Sequence, residues 1–238
     1  QKIRGVAGTT VTLSVLNAGK NSSDDARDIK IAREVIVVPS IETKIDGNYF
    51  VISLATFTGT NINADIESAM RAFKTSGKNN LIIDVRGNPG GYLDSAIYMS
   101  SFLLPLGQTI VSEDFNGKED TVVHKSQGFP LIDNKNTKVA VLIDAGSASA
   151  SEILAGALHD NDRAILVGEK SFGKGSVQEI VQVTDDTLLK ITVAKWLTPK
   201  GASIQDNGIT PENIVKLPDN WKVGDKDTVM EKAKLLLK

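Results

Sequence analysis

The apolar residues of this chain follow two spacings, one typical of strands and one typical of helices. Alternating or β-branched runs predict strands, and the turn residues Asp46-Gly47, Asn116-Gly117 and Asp185-Asp186 each separate two such runs, which predicts three hairpins. The predicted strands lie within residues 10–16, 29–38, 41–55, 81–85, 109–115, 120–124, 139–143, 177–183 and 188–193.

Four other segments have apolar residues at intervals of three and four, as a helix with one buried face requires. One helix contains Ile66, Met70 and Phe73 and is predicted to stop near Gly77. The others lie within residues 93–104, 150–158 and 228–237. Strands that alternate with helices, with hairpins inserted among them, predict a mixed α/β domain.

A first candidate for chemistry is Ser149, between the predicted strand 139–143 and the helix that follows it. At such a turn, free backbone N–H groups and the positive end of the helix dipole can stabilise a developing oxyanion, so a nucleophile would be well placed. Ser149 and Glu152 also fit the S-x-x-E capping box, which only starts a helix. The local residues favour capping, because caps far outnumber catalytic serines.

A second candidate is Lys174 in the segment SFGKGSVQ, residues 171–178. Two glycines flank the lysine, and Gln178 follows four residues later, on the same side of a strand or a helix, where its amide oxygen could orient the amine. An uncharged lysine can serve as the base that a serine nucleophile needs. That role requires apolar surroundings, which Ile153, Ile165, Leu166 and Val167 could supply. The alternative is an exposed lysine in a turn.

A glycine-rich turn, RGNPGG at residues 86–91, follows the predicted strand 81–85 and precedes a helix. It would let backbone amides approach a ligand closely, but by itself it is a weak signal. The chain has two histidines, His124 and His159. His159 lies ten residues along the helix from Ser149, roughly 15 Å away, and is beyond hydrogen-bond reach. We expect both histidines at the surface, and neither has metal-ligand spacing.

Composition narrows the class of protein. The net charge is −2 over 238 residues with both signs interspersed, which gives no footprint for nucleic acid or an anionic membrane. The absence of cysteine excludes disulfides, a thiol nucleophile and thiolate metal sites. No signal peptide and no apolar run of membrane-spanning length is present, and residue 1 falls in a strand-rich segment. We therefore expect a piece of a longer precursor.

Taken together, GSASASEILAGAL at residues 146–158, Val167-Gly168 and FGKGSVQ at residues 172–178 resemble the catalytic region of the carboxyl-terminal processing proteases, also called tail-specific proteases. The resemblance implies an α/β core of the Clp-protease/crotonase type with inserted β-hairpins. It also implies that Ser149 is the nucleophile, Lys174 the base and Gln178 the residue that holds the lysine. No metal or organic cofactor is implied.

The same resemblance assigns the oxyanion hole to the backbone amide of Ala150 and to that of Gly90 or Gly91, without deciding between the two glycines. It assigns residues 1–38 to the C-terminal remnant of a PDZ module with a connecting strand, and residues 39–238 to a serine protease core. The implied substrates are proteins cut in their C-terminal regions at small or apolar residues. The implied location is extracytoplasmic, in the periplasm or cell envelope, and a homo-oligomer is possible.

Two alternatives stay open at this point. One is a non-catalytic ligand-binding protein on the same fold, such as the retinoid-carrying relatives of these proteases, although the presence of Ser149, Lys174 and Gln178 together weighs against it. The other is a crotonase-type acyl-CoA enzyme, which would use carboxylates and a pocket for CoA.

Overall fold

The computed structural model describes residues 3–16, 19, 25–35, 39–222 and 224–238. The chain forms two compact units, residues 1–39 and 40–238. In the first unit, β1 (Thr10–Val15) pairs antiparallel with β2 (Arg27–Ala32). Residues 36–38 of the predicted second strand, and most of the polar segment before it, lie outside the described residues.

The larger unit contains ten strands and four helices among its described residues. In chain order they are β3 (Ile41–Asp46), β4 (Tyr49–Leu54), α1 (Ile62–Ser76), β5 (Asn80–Asp84), α2 (Leu93–Ser101), β6 (Thr109–Asp114), β7 (Val122–Lys125), β8 (Lys138–Ile143), α3 (Ala150–Asp160), β9 (Ile165–Gly168), β10 (Ser176–Thr184), β11 (Thr187–Leu197), β12 (Asn213–Ile214) and α4 (Thr228–Leu236).

A six-stranded sheet with the order β12-β9-β8-β5-β4-β3 forms the centre of this unit. All its strand pairs are parallel except β3 with β4. Successive residues of a strand point to opposite faces, so Ile83 and Val141 pack with α1, α2 and α3 on one face. Their neighbours Ile82 and Leu142 pack with α4 on the other. Burial on both faces explains why these strands are continuous apolar runs.

A second sheet has the order β10-β11-β6-β7 and is antiparallel throughout. Its β10–β11 hairpin is exposed over most of its length, and apolar side chains such as Ile180 (64% exposed) and Leu188 (66% exposed) face solvent there. At the far end of β11, Trp196 is 7% exposed and packs in the core.

The mixed α/β class, the hairpins and the four helices predicted from the sequence are confirmed. The helix α1 ends at Gly77, whose left-handed conformation closes it. The two-residue strand β12 was not predicted, because two residues carry no periodicity. No helix in the described part of the chain combines the length and the apolar character needed to cross a bilayer.

Candidate active site

Ser149 occupies a strained position at the turn between β8 and α3. Its backbone has φ 55° and ψ −116°, outside the regions that L residues ordinarily adopt. Among the described residues, the other non-glycine residues with positive φ are Asn116, Asp162 and Asp206, types that tolerate it more readily. Such strain persists only where surrounding contacts hold it, and it is typical of a serine presented at a sharp strand-to-helix turn.

The carboxylate of Glu152 holds this turn against the lysine loop. The Glu152 residue is 0% exposed. Its Oε2 accepts the N–H of Ser149 at 2.8 Å and the N–H of Lys174 at 2.9 Å. Its Oε1 accepts the hydroxyl of Ser171 at 2.6 Å and the N–H of Gly173 at 2.7 Å. The predicted capping box is therefore present, and the same side chain also brings the backbones of Ser149 and Lys174 together.

The glycines that flank Lys174 serve backbone packing. A Cβ on Gly175 would lie 2.1 Å from the backbone nitrogen of Gln205, so no larger residue fits there. The N–H of Gly175 donates to Gln205 Oε1 at 3.2 Å, and the carbonyl of Gly173 accepts the N–H of Asp206 at 2.9 Å. The loop that holds Lys174 is thus fixed by Glu152 on one side and by residues 205–206 on the other.

The side chains of the predicted base and its partner are not enclosed. Lys174 and Gln178 are both exposed, and in the described part of the chain no hydrogen bond joins the lysine amine to Ser149 or to Gln178. A bulge in β10 between Val177 and Gln178 changes the direction of the strand at this point. The expectation that Ile153, Ile165, Leu166 and Val167 enclose the lysine is wrong, because these residues pack in the two core clusters below the loop.

The glycine-rich turn reaches Ser149 through a buried asparagine. Asn88 is 0% exposed. Its Oδ1 accepts the N–H of Gly90 and its Nδ2 donates to the carbonyl of Leu54, both at 2.8 Å. Its own carbonyl accepts the N–H of Ala148 and the hydroxyl of Ser151, both at 3.0 Å. One residue therefore fixes the turn at 88–91 to both sides of the Ser149 turn.

Two backbone amides beside Ser149 have no acceptor. Gly90 adopts φ 95°, and a Cβ there would lie 2.8 Å from the Ser149 Cβ and 2.9 Å from the Ala150 nitrogen, so the two turns are in direct contact. The N–H of Gly90 is already bonded to Asn88. The N–H groups of Gly91 and Ala150 donate to no described residue. These two N–H groups can donate hydrogen bonds to an oxyanion.

The histidines lie away from Ser149. His124 Nε2 is 2.7 Å from Glu113 Oε1, and the residue is partly buried against the ring of Trp196, so the expectation of a surface histidine is wrong for it. His159 lies next to Asp160 and Glu212. Across the described ranges, no group of three or more histidine, cysteine, aspartate or glutamate side chains is arranged to hold a metal ion.

Sequence reasoning missed the buried polar side chains that position the site. It read Glu152 only as a cap and named Asn88 only as part of a glycine-rich turn. It also missed Arg86, whose guanidinium forms paired hydrogen bonds with Asp84 and with Asp227 at the start of α4. Burial lowers the pKa of Arg86, but these two carboxylates outweigh it and raise that pKa. The feature of the sequence that could have pointed to Asn88 and Arg86 is their place in the RGNPGG motif.

A strained serine at a strand-to-helix turn, two unpaired amides beside it and a lysine on the adjoining loop form the arrangement typical of hydrolases that work through an acyl-enzyme. Comparison with known proteins gives the family. The model of peptidase family S41 matches residues 48–215, which is more than half of the chain. The chain belongs to peptidase family S41.

Two relatives show how far the similarity extends. The chain is 37% identical over 247 residues to a probable CtpA-like serine protease of Staphylococcus epidermidis, covering 99% of this chain and 49% of the relative. It is 38% identical over 226 residues to a carboxy-terminal-processing protease of Bartonella bacilliformis, covering 93% of this chain and 51% of the relative. The chain therefore spans about half the length of these relatives.

A solved structure shares the fold. The photosystem II D1 C-terminal processing protease matches with a TM-score of 0.70 and 27% identity, over 89% of this chain and 57% of that chain. A putative S41 protease from Bacteroides fragilis matches with a TM-score of 0.66 and 20% identity, over 97% of this chain and 67% of that chain, which shows the fold alone. The mixed α/β core is thus that of the S41 C-terminal processing proteases.

Proposed function

We propose that this chain is the protease core of a serine endopeptidase that cleaves the C-terminal regions of protein substrates. Ser149 is the nucleophile, Lys174 the general base and Gln178 the residue that orients the lysine. The amides of Ala150 and Gly91 form the oxyanion hole. The observation that carries the proposal is the Glu152 carboxylate, because one of its oxygen atoms accepts the N–H groups of both Ser149 and Lys174.

The reaction follows from these roles. The uncharged amine of Lys174 takes the hydroxyl proton of Ser149 as Oγ bonds to the carbonyl carbon of the scissile peptide. The negative charge that forms on the carbonyl oxygen is stabilised by the amides of Gly91 and Ala150. Lys174 returns its proton to the departing amine when the C–N bond breaks. Water then attacks the acyl ester, with Lys174 again as base, and releases the new carboxyl terminus.

Between the two candidate amides of the glycine turn, hydrogen bonding favours Gly91. The N–H of Gly90 is occupied by Asn88 at 2.8 Å, and using it for an oxyanion would leave a buried amide oxygen without a donor. The N–H of Gly91 is unpaired in the described structure, and that glycine is exposed. Gly90 serves instead as the residue whose missing side chain allows the two turns to touch.

The exposure of Lys174 sets a condition on this mechanism. A lysine amine in water is charged, and it can act as a base only when its surroundings exclude water. A peptide bound across Ser149 would cover the lysine and remove water from it. Gln178 then accepts one N–H of the amine and aims it at the serine hydroxyl.

Substrate and location rest on the family. We propose protein substrates with small or apolar residues near the C-terminus, an extracytoplasmic location and a PDZ origin for residues 1–38. Since the chain spans about half of its relatives, these properties belong to the whole protein. We also propose a homo-oligomer, which a measurement of the molecular mass of the chain in solution tests.

A fluorophosphonate probe and a peptide with an apolar C-terminal region together test the reaction. We expect a covalent adduct on Ser149, absent from Ser149→Ala and strongly reduced in Lys174→Ala, and unchanged in the matched control Lys170→Ala, since Lys170 is exposed four residues upstream. A protein that takes no adduct and binds an apolar ligand would be the non-catalytic carrier. Activity that requires CoA would instead identify a crotonase-type acyl-CoA enzyme.

A further inference from the structure

Two helices begin at one cavity beside the oxyanion turn. The cavity has a volume of about 650 Å³. Its walls are the N-cap and the first three residues of α1 and of α2, together with two residues that precede α1: Gly59, Thr60, Asn61, Ile62, Asn63, Ala64, Tyr92, Leu93, Asp94 and Ser95. Because the chain runs directly from Gly91 to Tyr92, this cavity adjoins the proposed oxyanion hole.

The backbone amides that line this cavity lack acceptors. Neither N-cap residue, Asn61 nor Tyr92, caps its helix with a side-chain hydrogen bond. Within the described residues, the first three N–H groups of each helix donate to no protein oxygen, and bonding starts at Asp65 in α1 and at Ala96 in α2. Unpaired N–H groups and the positive ends of two helix dipoles therefore meet at one place, which favours a negatively charged ligand.

A serine hydroxyl without a protein partner gives an independent sign of a ligand. Ser95 is 2% exposed and lines the cavity, yet its hydroxyl has no hydrogen-bond partner among the described residues. The two other serines near the end of the same helix behave differently, because Ser100 donates to the carbonyl of Ala96 at 2.7 Å and Ser101 to that of Ile97 at 2.8 Å. The Ser95 hydroxyl is not among the fully buried unpaired atoms of the described residues, which are Thr198 Oγ1 and Trp221 Nε1, so it keeps some accessible surface. Because Ser95 lines the cavity, a ligand oxygen there can accept its hydrogen bond.

The position of the cavity connects it with a bound peptide. Leu93 follows Gly90 by three residues, and Gly90 touches Ser149, so the amides of α2 lie within about 15 Å of the nucleophile. An extended peptide of about four residues spans that distance. A peptide held across Ser149 can thus place a group in the cavity while its scissile bond is at the serine.

We propose that this cavity binds a carboxylate of the peptide, held by the first-turn amides of α1 and α2 and by the hydroxyl of Ser95. The carboxylate belongs either to the C-terminus of the peptide or to an acidic side chain near it. Asp94, the only charged side chain that lines the cavity, is exposed and repels the ligand, so it limits the affinity. The peptide as ligand rests on the proposed function.

Binding is measured apart from catalysis, by fluorescence anisotropy on the Ser149→Ala chain. Three labelled peptides of one apolar sequence are compared: one with a free C-terminal carboxylate, one with a C-terminal amide, and one with a C-terminal amide and a glutamate as its last residue. We expect the free acid to bind about three- to tenfold more tightly than the plain amide, with a difference that shrinks as salt is raised. The glutamate peptide shows whether a side-chain carboxylate is accepted as well.

Variants of the wall give effects of opposite sign. Asp94→Asn removes the repelling charge and should tighten binding of carboxylate peptides, whereas Asn63→Asp adds a charge and should weaken it, each about threefold. Ser95→Ala should also weaken it, and none of the three should change binding of the plain amide. Asn116→Asp, at an exposed hairpin turn, is the matched control and should leave all affinities unchanged.

Equal affinity for the acid and both amide peptides, or an equal response to Asn63→Asp and Asn116→Asp, would overturn the cavity as a carboxylate site. These results stand apart from the proposed reaction. A wild-type chain that hydrolyses peptides without any preference for carboxylates keeps the proposed function and loses this inference. A chain that prefers carboxylate peptides but never takes the fluorophosphonate label at Ser149 keeps the cavity as a carboxylate site and loses the proposed function.

Discussion

The two halves of the candidate site are organised in different ways. In the nucleophile half, the backbone around Ser149 and around Gly91 is held by Asn88 and Glu152, two side chains with no exposed surface. In the base half, the side chains of Lys174 and Gln178 are exposed, although the backbone of the lysine is fixed. Contacts within this chain thus preorganise the first half. In the second half they fix the backbone of Lys174 but leave the side chains of Lys174 and Gln178 exposed to solvent.

This difference shows where water exclusion must come from. The β10–β11 hairpin leaves the lysine loop and presents apolar residues such as Ile180 and Leu188 to solvent. Surfaces of this kind usually mark an interaction site. In the proposed mechanism, the nucleophile half can stabilise a transition state as it stands, whereas the base half depends on whatever covers the lysine when substrate binds.

The largest effect is expected for the base half itself. Removal of a general base typically costs 10² to 10⁴ in rate, so Lys174→Ala should lower kcat/KM for a peptide by about 10³-fold. Lys174→Arg should be about as inactive, because a guanidinium stays charged and cannot accept the serine proton. Steady-state hydrolysis measures both, and Lys170→Ala should retain full activity. Substantial activity in Lys174→Arg would mean that another group takes the proton.

A smaller effect is expected for the residue that fixes the oxyanion turn. Asn88→Ala leaves the N–H of Gly90 and the carbonyl of Leu54 without their partner and frees the turn that holds Gly91. A displacement of about 1 Å can cost about 10²-fold in rate, so kcat should fall by that factor with little change in KM. Asn88→Asp keeps the acceptor for Gly90, but it sets a carboxylate oxygen against the carbonyl of Leu54 and adds a buried negative charge beside the oxyanion turn, so it should lose at least as much. An unchanged kcat in Asn88→Ala would show that the bond to Gly90 does not position the amide.

Much of the fold followed from the sequence because the core strands and helices carry strong periodicity. Runs such as 81–85 and 139–143 are almost entirely apolar, which is the pattern typical of strands buried on both faces. The strand-to-helix turn predicted at Ser149 is present between β8 and α3, and so is the capping box indicated by the S-x-x-E pattern. Local patterns thus predicted local structure well.

Contacts between segments that are distant in the sequence could not be predicted from local patterns. The bond from Glu152 to Lys174 joins residues 22 apart, and that from Arg86 to Asp227 joins residues 141 apart. No spacing rule relates such pairs, because tertiary packing alone brings them together. The expected enclosure of Lys174 failed for the same reason, since Leu166 and Val167 are apolar neighbours in sequence that point into the core.

The connection between the two halves can be weakened without removing it. Glu152→Gln keeps the shape of the side chain and one acceptor oxygen, but it directs an NH₂ group at two backbone or hydroxyl donors. Charge-assisted hydrogen bonds contribute about 1.5–3 kcal/mol each, so we expect a loss of about 2–4 kcal/mol in the free energy of unfolding. We expect about a tenfold loss in kcat. Urea unfolding and hydrolysis measure the two effects, with the exposed Glu119→Gln as control.

The smallest effect on activity is expected at the pair between Arg86 and Asp227, where Arg86 lies two residues before Asn88 in the chain. Burial raises the pKa of Asp227. The hydrogen bonds that its carboxylate accepts from Arg86 and from the N–H of Met230 lower that pKa by more, so the net shift is downward. A lowered pKa in the folded state means that the stabilisation is complete above the unfolded value of about 4 and is lost as the pH falls through the folded value. Asparagine caps a helix as well as aspartate does, so Asp227→Asn keeps the cap but loses the charge and the hydrogen bond that Oδ2 accepts from Arg86.

We therefore expect Asp227→Asn to lower the free energy of unfolding by about 1 kcal/mol at pH 7 and to leave kcat within about twofold of wild type. Urea unfolding at pH 7, 5 and 3 should show the difference between variant and wild type shrinking at the lowest pH, because below about 4 the unfolded wild-type chain takes up a proton at Asp227 more readily than the folded chain does. Asp219→Asn, in an exposed pair with Lys216, should show a much smaller trend, because solvent screens that pair. A difference that stays constant down to pH 3 would mean that the charge of Asp227 does not hold α4 to the strand that leads to the oxyanion turn.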